Sequence, residues 1–136
     1  MGKKKVVLDT NVLISAVGFS GNEREVLRKC INGEVSLFLT EAILKELERV
    51  LEYPKLNFTQ AQKDALKLIL VEVGCLVPAT KGLNIITEDP EDNRFLEAAI
   101  AAEADFLITG NKHLLKVKEF GKTKIVRAPQ FLRFCR

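Results

Sequence analysis

Histidine and cysteine are scarce in this chain, and their scarcity excludes a good deal of chemistry. The one histidine, His113, and three scattered cysteines, Cys30, Cys75 and Cys135, form no CxxC pair and give no zinc-ligand spacing. An odd set of cysteines without a framework pattern reads as reduced, mostly buried thiols in a cytoplasmic protein. Long apolar runs are missing as well. No window reaches the length of a membrane span, and Val6-Val7-Leu8, between Lys5 and Asp9, is too short for the core of a signal peptide. The expectation is a cytoplasmic protein with no membrane partner. Charge of one sign is not in large excess: 21 Lys and Arg against 18 Asp and Glu leave +3, too mild to argue for a dedicated nucleic-acid binder. No glycine-rich loop follows the first apolar run, so a nucleotide-binding Rossmann domain is excluded. Nor does a Pro/Gly/Ser linker, repeat or low-complexity tract divide the chain. One domain over residues 1–136 is expected, long enough to bury a core without disulfide or metal staples.

Short, continuously apolar runs are present: Val6 to Leu8, Val35 to Leu39, Cys75 to Val77, Phe106 to Ile108, and Ile125-Val126. Runs without polar alternation suit strands buried on both faces of a parallel sheet. Helical patterns separate them. Asn22 to Ile31 is closed by Gly33, and Thr40 to Leu51 puts Ile43, Leu44, Leu47, Val50 and Leu51 on one face and stops before Pro54. Thr59 and Gln62 form a capping-box pattern ahead of Leu66, Ile69, Leu70 and Val73, with Gly74 as the stop. Asp89-Pro90 opens a last long helix that runs to Ala104. The alternation predicts an α/β/α sandwich around a parallel sheet of four or five strands, with any site beyond the strands' carboxyl ends.

Four positions meet that rule or lie near it. Asp9 directly follows the first strand, either as a site carboxylate or as the cap of the helix beginning near Asn11. Asp92 belongs to Glu88-Asp89-Pro90-Glu91-Asp92-Asn93, where acids in a first helical turn also serve the macrodipole and Asp89 is placed as the cap. Glu46 and Glu48 lie at opposite rims of one apolar helix face, and periodicity does not choose between them. A strand delivers Thr109, Gly110 and Asn111 to the same edge as Asp9, and Asn111 either offers an amide oxygen or makes the turn. Two unit charges 4 Å apart repel by about 4 kcal/mol at an effective dielectric near 20, so gathered acids require a cation or raised pKa values. Hard oxygen ligands select Mg²⁺ or Mn²⁺, which activate water and neutralise charge on a phosphate undergoing hydrolysis.

In order and spacing, Val7-Leu8-Asp9-Thr10-Asn11-Val12-Leu13, Glu41 to Val50, Asp89-Pro90-Glu91-Asp92-Asn93 and Ala104-Asp105-Phe106-Leu107-Ile108-Thr109-Gly110 resemble the motifs of PIN-domain nucleases, over Lys5 to about Ala128. The similarity is greatest to toxin components of toxin–antitoxin pairs, the VapC-like branch. The resemblance implies metal-dependent cleavage of RNA, with Asp9, Glu46 and Asp92 as metal ligands and Asn111 at the family's fourth acidic position. Thr109 would support the site, and Asn11 would orient Asp9 or a water. A homodimer and an antitoxin partner are implied too, with Arg127, Arg133 and Arg136 as a basic stretch that serves RNA or is merely solvated. An aspartate-nucleophile phosphatase is disfavoured because Asn11 stands where a second Asp is needed. The rival is a degenerate PIN domain that binds RNA or a partner without cutting, for which Asn111 is the best argument.

Overall fold

The computed structural model describes residues 2–79 and 82–135; Arg136, the last member of the basic stretch, lies outside them. Strand β1 (Lys4–Leu8) leads into helices α1 (Thr10–Gly18) and α2 (Asn22–Ile31), then β2 (Val35–Leu39), α3 (Glu41–Leu51), α4 (Gln60–Val73) and β3 (Gly74–Leu76). The second half supplies α5 (Asn93–Ala102), β4 (Phe106–Ile108), α6 (Lys112–Leu115), β5 (Glu119–Phe120), β6 (Thr123–Val126) and α7 (Ala128–Phe134). The strands form one sheet in the order β3-β2-β1-β4-β6-β5. Its first five members run parallel, and β5 joins β6 antiparallel. The five apolar runs are thus the five parallel strands. The sixth, only two residues long, hairpins on Gly121 and has too little pattern to announce itself.

Consecutive side chains of a strand point to opposite faces. Val6, Val7 and Leu8 are each fully buried, as are Leu107 and Ile108, with Phe106 nearly so. Both faces of the central strands are therefore covered, which makes three layers. Helix α5 lies across β1, β2 and β4 with α3 beside it, and α2 and α7 pack on each other and on β2 and β4 respectively.

Local chemistry explains most element ends. Gly33, at φ +77°, closes α2: its N–H donates to Cys30 O, and Glu34 N–H donates to Lys29 O at 2.9 Å. The capping box forms as expected, with Thr59 Oγ accepting from Gln62 N–H and the Gln62 side chain accepting from Thr59 N–H. Three expectations need correction. Asp89 makes no side-chain cap; a 3-10 turn, Pro90–Asp92, precedes α5, which ends two residues early because Glu103 adopts φ 51°. Among the cysteines only Cys30 is buried, its thiol pushed up to about 12 by that burial; Cys75 is exposed and Cys135 intermediate. Gly74 does stop α4, but in an extended conformation that passes straight into β3.

What Gly74 supplies is closeness. A Cβ there would lie 2.5 Å from Leu70 O and 2.7 Å from Leu39 Cδ1. Gly74→Ala should cost roughly 1–3 kcal/mol of stability by overpacking. Urea denaturation checks it, and an unchanged midpoint would show that the α4–β3 corner opens without strain.

Candidate active site

Strands β1 and β4 are adjacent and parallel, with Leu8 opposite Ile108. From β1 the chain winds outward to β2 and β3, and from β4 it winds the other way to β6. The direction reverses between them, and a crevice opens at the carboxyl ends at such a reversal. The next residues along these two strands are Asp9 and Thr109. Asp9 N–H donates to Ile108 O at 3.1 Å, which ties the two ends together.

Asp9 serves two purposes at once. One carboxylate oxygen accepts from Val12 N–H at 2.9 Å and caps α1; the other accepts from the Thr109 hydroxyl. The residue is only 3% exposed. Burial pushes its pKa up, the hydrogen bonds from Thr109, Val12 and Asn11 N–H pull the other way, and the charge of Asp92 raises it further. Asn11 contributes its backbone here. Its residue is exposed, and the Asp9 carboxylate is oriented by Thr109 and the α1 amides, not by the Asn11 side chain.

Asp92 comes to the same place from the turn ahead of α5 and is 8% exposed. Its pKa is raised by burial first and by Asp89, against the hydrogen bond from Asn111 and the proximity of His113. Asn111 Nδ2 donates to Asp92 Oδ2 at 2.9 Å, while its Oδ1 accepts from His113 N–H at 2.8 Å and caps α6. Asn111 N–H in turn donates to Thr109 Oγ at 2.9 Å. Asp9, Thr109, Asn111 and Asp92 are one connected hydrogen-bonded chain. Asn111 thus makes the turn with its amide oxygen and reaches Asp92 with its amide nitrogen.

Glu46 stands apart from that chain. Its carboxylate pairs with Arg94 of α5, and both side chains are mostly buried, at 17% and 19% exposure. Glu48 is exposed. Among the described residues no three His, Cys, Asp or Glu side chains are gathered closely enough to hold a metal. The Asp9–Asp92 pair nevertheless fits a divalent cation in kind: two carboxylates in one crevice whose pKa values are both raised, by burial first, with the charge of Asp92 adding to the rise at Asp9 and that of Asp89 at Asp92. Beside them Thr10 Oγ is buried with no hydrogen-bond partner among the described residues.

Sequence reasoning missed two neighbours. Asn93 is 4% exposed and clamps the preceding connection to α5, accepting from Ile85 and Ile86 N–H and donating to Ile86 O and Pro90 O. That clamp sets where Asp92 sits. Its only signal was an amide immediately after the acidic run. Arg94 was missed because its partner lies on another helix. The rim also carries Arg127, which follows β6 and whose Nη1 lies 3.9 Å from where a Gly110 Cβ would be. Arg127 and Arg133 are both exposed.

Comparison with known proteins adds two findings. A family model described as PIN domain matches residues 5–113, spanning every residue of the hydrogen-bonded chain. An uncharacterized protein of Methanocaldococcus jannaschii, MJ1680, is 29% identical over 124 residues, which covers 88% of this chain and 79% of the relative.

The two buried carboxylates give a pH signature. With folded pKa values above the ordinary 3.8, their favourable contribution is full below the unfolded value and is lost as pH rises through the folded values. Asp9→Asn keeps a capping oxygen and removes one buried charge. In chelator it should melt at or above the wild-type temperature near about pH 7, with the gain disappearing toward about pH 4. Melting curves across that range check the sign, and a variant less stable than wild type at neutral pH contradicts it.

Proposed function

The chain belongs to the PIN-domain family, whose members are generally nucleases, and from that premise we propose that it is an Mg²⁺- or Mn²⁺-dependent endoribonuclease. One observation carries the reading: Asp9 and Asp92, both buried and with no Lys or Arg partner among the described residues, meet at the sheet's reversal point with raised pKa values. Asp9 and Asp92 would hold the cation, and Glu46 is the third carboxylate of the set. When bound, the cation supplies the positive charge that activates a water and neutralises a phosphodiester. The remaining work belongs to the chain's own groups. Thr109 fixes the Asp9 carboxylate, Asn111 fixes Asp92, and Arg127 offers the rim a cation for a phosphate oxygen. The toxin role, a protein antitoxin, a homodimer and a cytoplasmic setting belong to the same proposal and rest on the resemblance to VapC-like proteins. Among the described residues no helix is long and apolar enough to cross a membrane.

A second reading has its own support. Asn111 donates to Asp92, and Arg94 neutralises Glu46, so both acids are satisfied without a metal. That is what a degenerate, non-cutting domain for RNA or a partner would show. Mn²⁺ titration separates the two.

Labelled RNA should be cut with Mg²⁺ or Mn²⁺ and left intact in chelator, and Asp9→Asn should slow cutting by about a hundredfold or more, the scale of losing a principal electrostatic group. Glu46→Ala should lose far more activity than Glu48→Ala. Equal losses would remove Glu46 from the site.

Asn111→Asp would keep the α6 cap and replace the donor to Asp92 with a third carboxylate. Mn²⁺ affinity should rise, since charge count governs oxygen-ligand sites, and the metal-free protein should melt lower. Calorimetric titration of both forms reads this directly. Unchanged affinity would place Asn111 outside the metal site.

A further inference from the structure

Arg94 lies two residues past Asp92 and makes three polar contacts. Nη1 pairs with Glu46, Nη2 lies 3.3 Å from Glu91 Oε2, and Nε donates to Glu91 O at 2.9 Å. The Glu46 pair bridges α3 and α5 and is largely withdrawn from solvent, whereas the Lys45–Glu41 pair within α3 is 72% and 75% exposed. Glu46 and Arg94 line an open cleft of about 730 Å³ between the two helices, with Lys45 and Arg49 on its wall.

We propose that Arg94 is a positioning residue that latches Glu46 in the metal-free protein and, once a divalent cation draws Glu46 away, receives a phosphodiester oxygen of the RNA. The inference rests on the metal-dependent nuclease reading above. A guanidinium does not lose its proton in proteins, so Arg94 stays charged whether it holds Glu46 or a phosphate, and the pair gives way when a competing cation takes the carboxylate. Both acceptors compete on chemistry: a carboxylate is a hard oxygen ligand for the metal, and a phosphate matches the guanidinium fork as well as a carboxylate does. Loading the cation and seating the RNA are thereby coupled through one side chain. The plainer alternative is a staple that only joins α3 to α5.

Mn²⁺ calorimetry without RNA, and anisotropy of a labelled RNA on Ca²⁺-loaded protein, distinguish the two. Arg94→Gln should tighten Mn²⁺ by about fivefold and weaken RNA by about tenfold, on the scale of one charged ligand. Arg94→Lys, which keeps the charge, should move both values back toward wild type. In a Glu46→Gln background, Arg94→Gln should leave Mn²⁺ affinity unaltered. Unchanged or weakened Mn²⁺ binding in Arg94→Gln alone overturns the latch, as does equal tightening in the Glu46→Gln background, which would mean that Arg94 acts without Glu46. Wild-type protein that binds no Mn²⁺ overturns the metal-site reading itself, before Arg94 enters.

Discussion

Asp9 has to be buried at the end of a strand that is covered on both faces, and much of the surrounding structure answers that requirement. The residue is 3% exposed, beyond the fully buried Leu8 and with its N–H on Ile108 O, where water cannot reach it freely. Its charge is met by amides at the start of α1 and by the Thr109 hydroxyl, all neutral donors. Neutral donors moderate a buried charge without cancelling it, which is why its pKa stays raised. Asp92 is brought to the same crevice and handled in the same manner, with Asn111 as its donor. Burial raises the pKa of both carboxylates, and the charge of Asp92 adds to the rise at Asp9.

The parts that hold this arrangement are not themselves acidic. Thr109 accepts from Asn111 N–H while donating to Asp9, so one hydroxyl couples the end of β4 to the end of β1. Asn93 uses both ends of its amide to press the chain before α5 onto that helix. A buried amide that satisfies four backbone groups is costly to disturb, because each group it serves would be left without a partner. The position of Asp92 is therefore set by its neighbour. The acids around it, Glu88, Asp89 and Glu91, remain at the surface, and Glu88 and Glu91 pair there with Lys116 and Arg94.

On the α3 side, charge is already balanced. Glu46 faces α5 and meets Arg94, whereas Glu48 lies at the other rim, beside an apolar groove of Leu44, Leu47, Leu51 and Leu70 between α3 and α4. The site thus has a charge-deficient half at the strand ends and a charge-satisfied half at the helix cleft. That asymmetry separates Asp9 and Asp92, which only neutral donors and His113 approach, from Glu46, which Arg94 holds.

The sequence by itself determined the layers, the five parallel strands and the edge of the sheet on which Asp9 and Thr109 emerge. Those features follow from local pattern: unbroken apolar runs, capping residues and the sign of φ at Gly33 act within a few residues of themselves. It also placed Asp92 and Asn111 as candidates, each with an equally good local explanation. The tertiary structure gave the two rims of the α3 helix different surroundings, α5 over Glu46 and α4 beside Glu48, and a helical wheel contains neither neighbour. Only the fold made Asn111 both cap and donor, gave Gly74 its reason in Leu70 and Leu39, and joined Arg94 to Glu46. The pairs Asp92–Asn111, Leu39–Gly74 and Glu46–Arg94 lie far apart in sequence, and long-range pairing leaves no periodic trace in the chain that makes it.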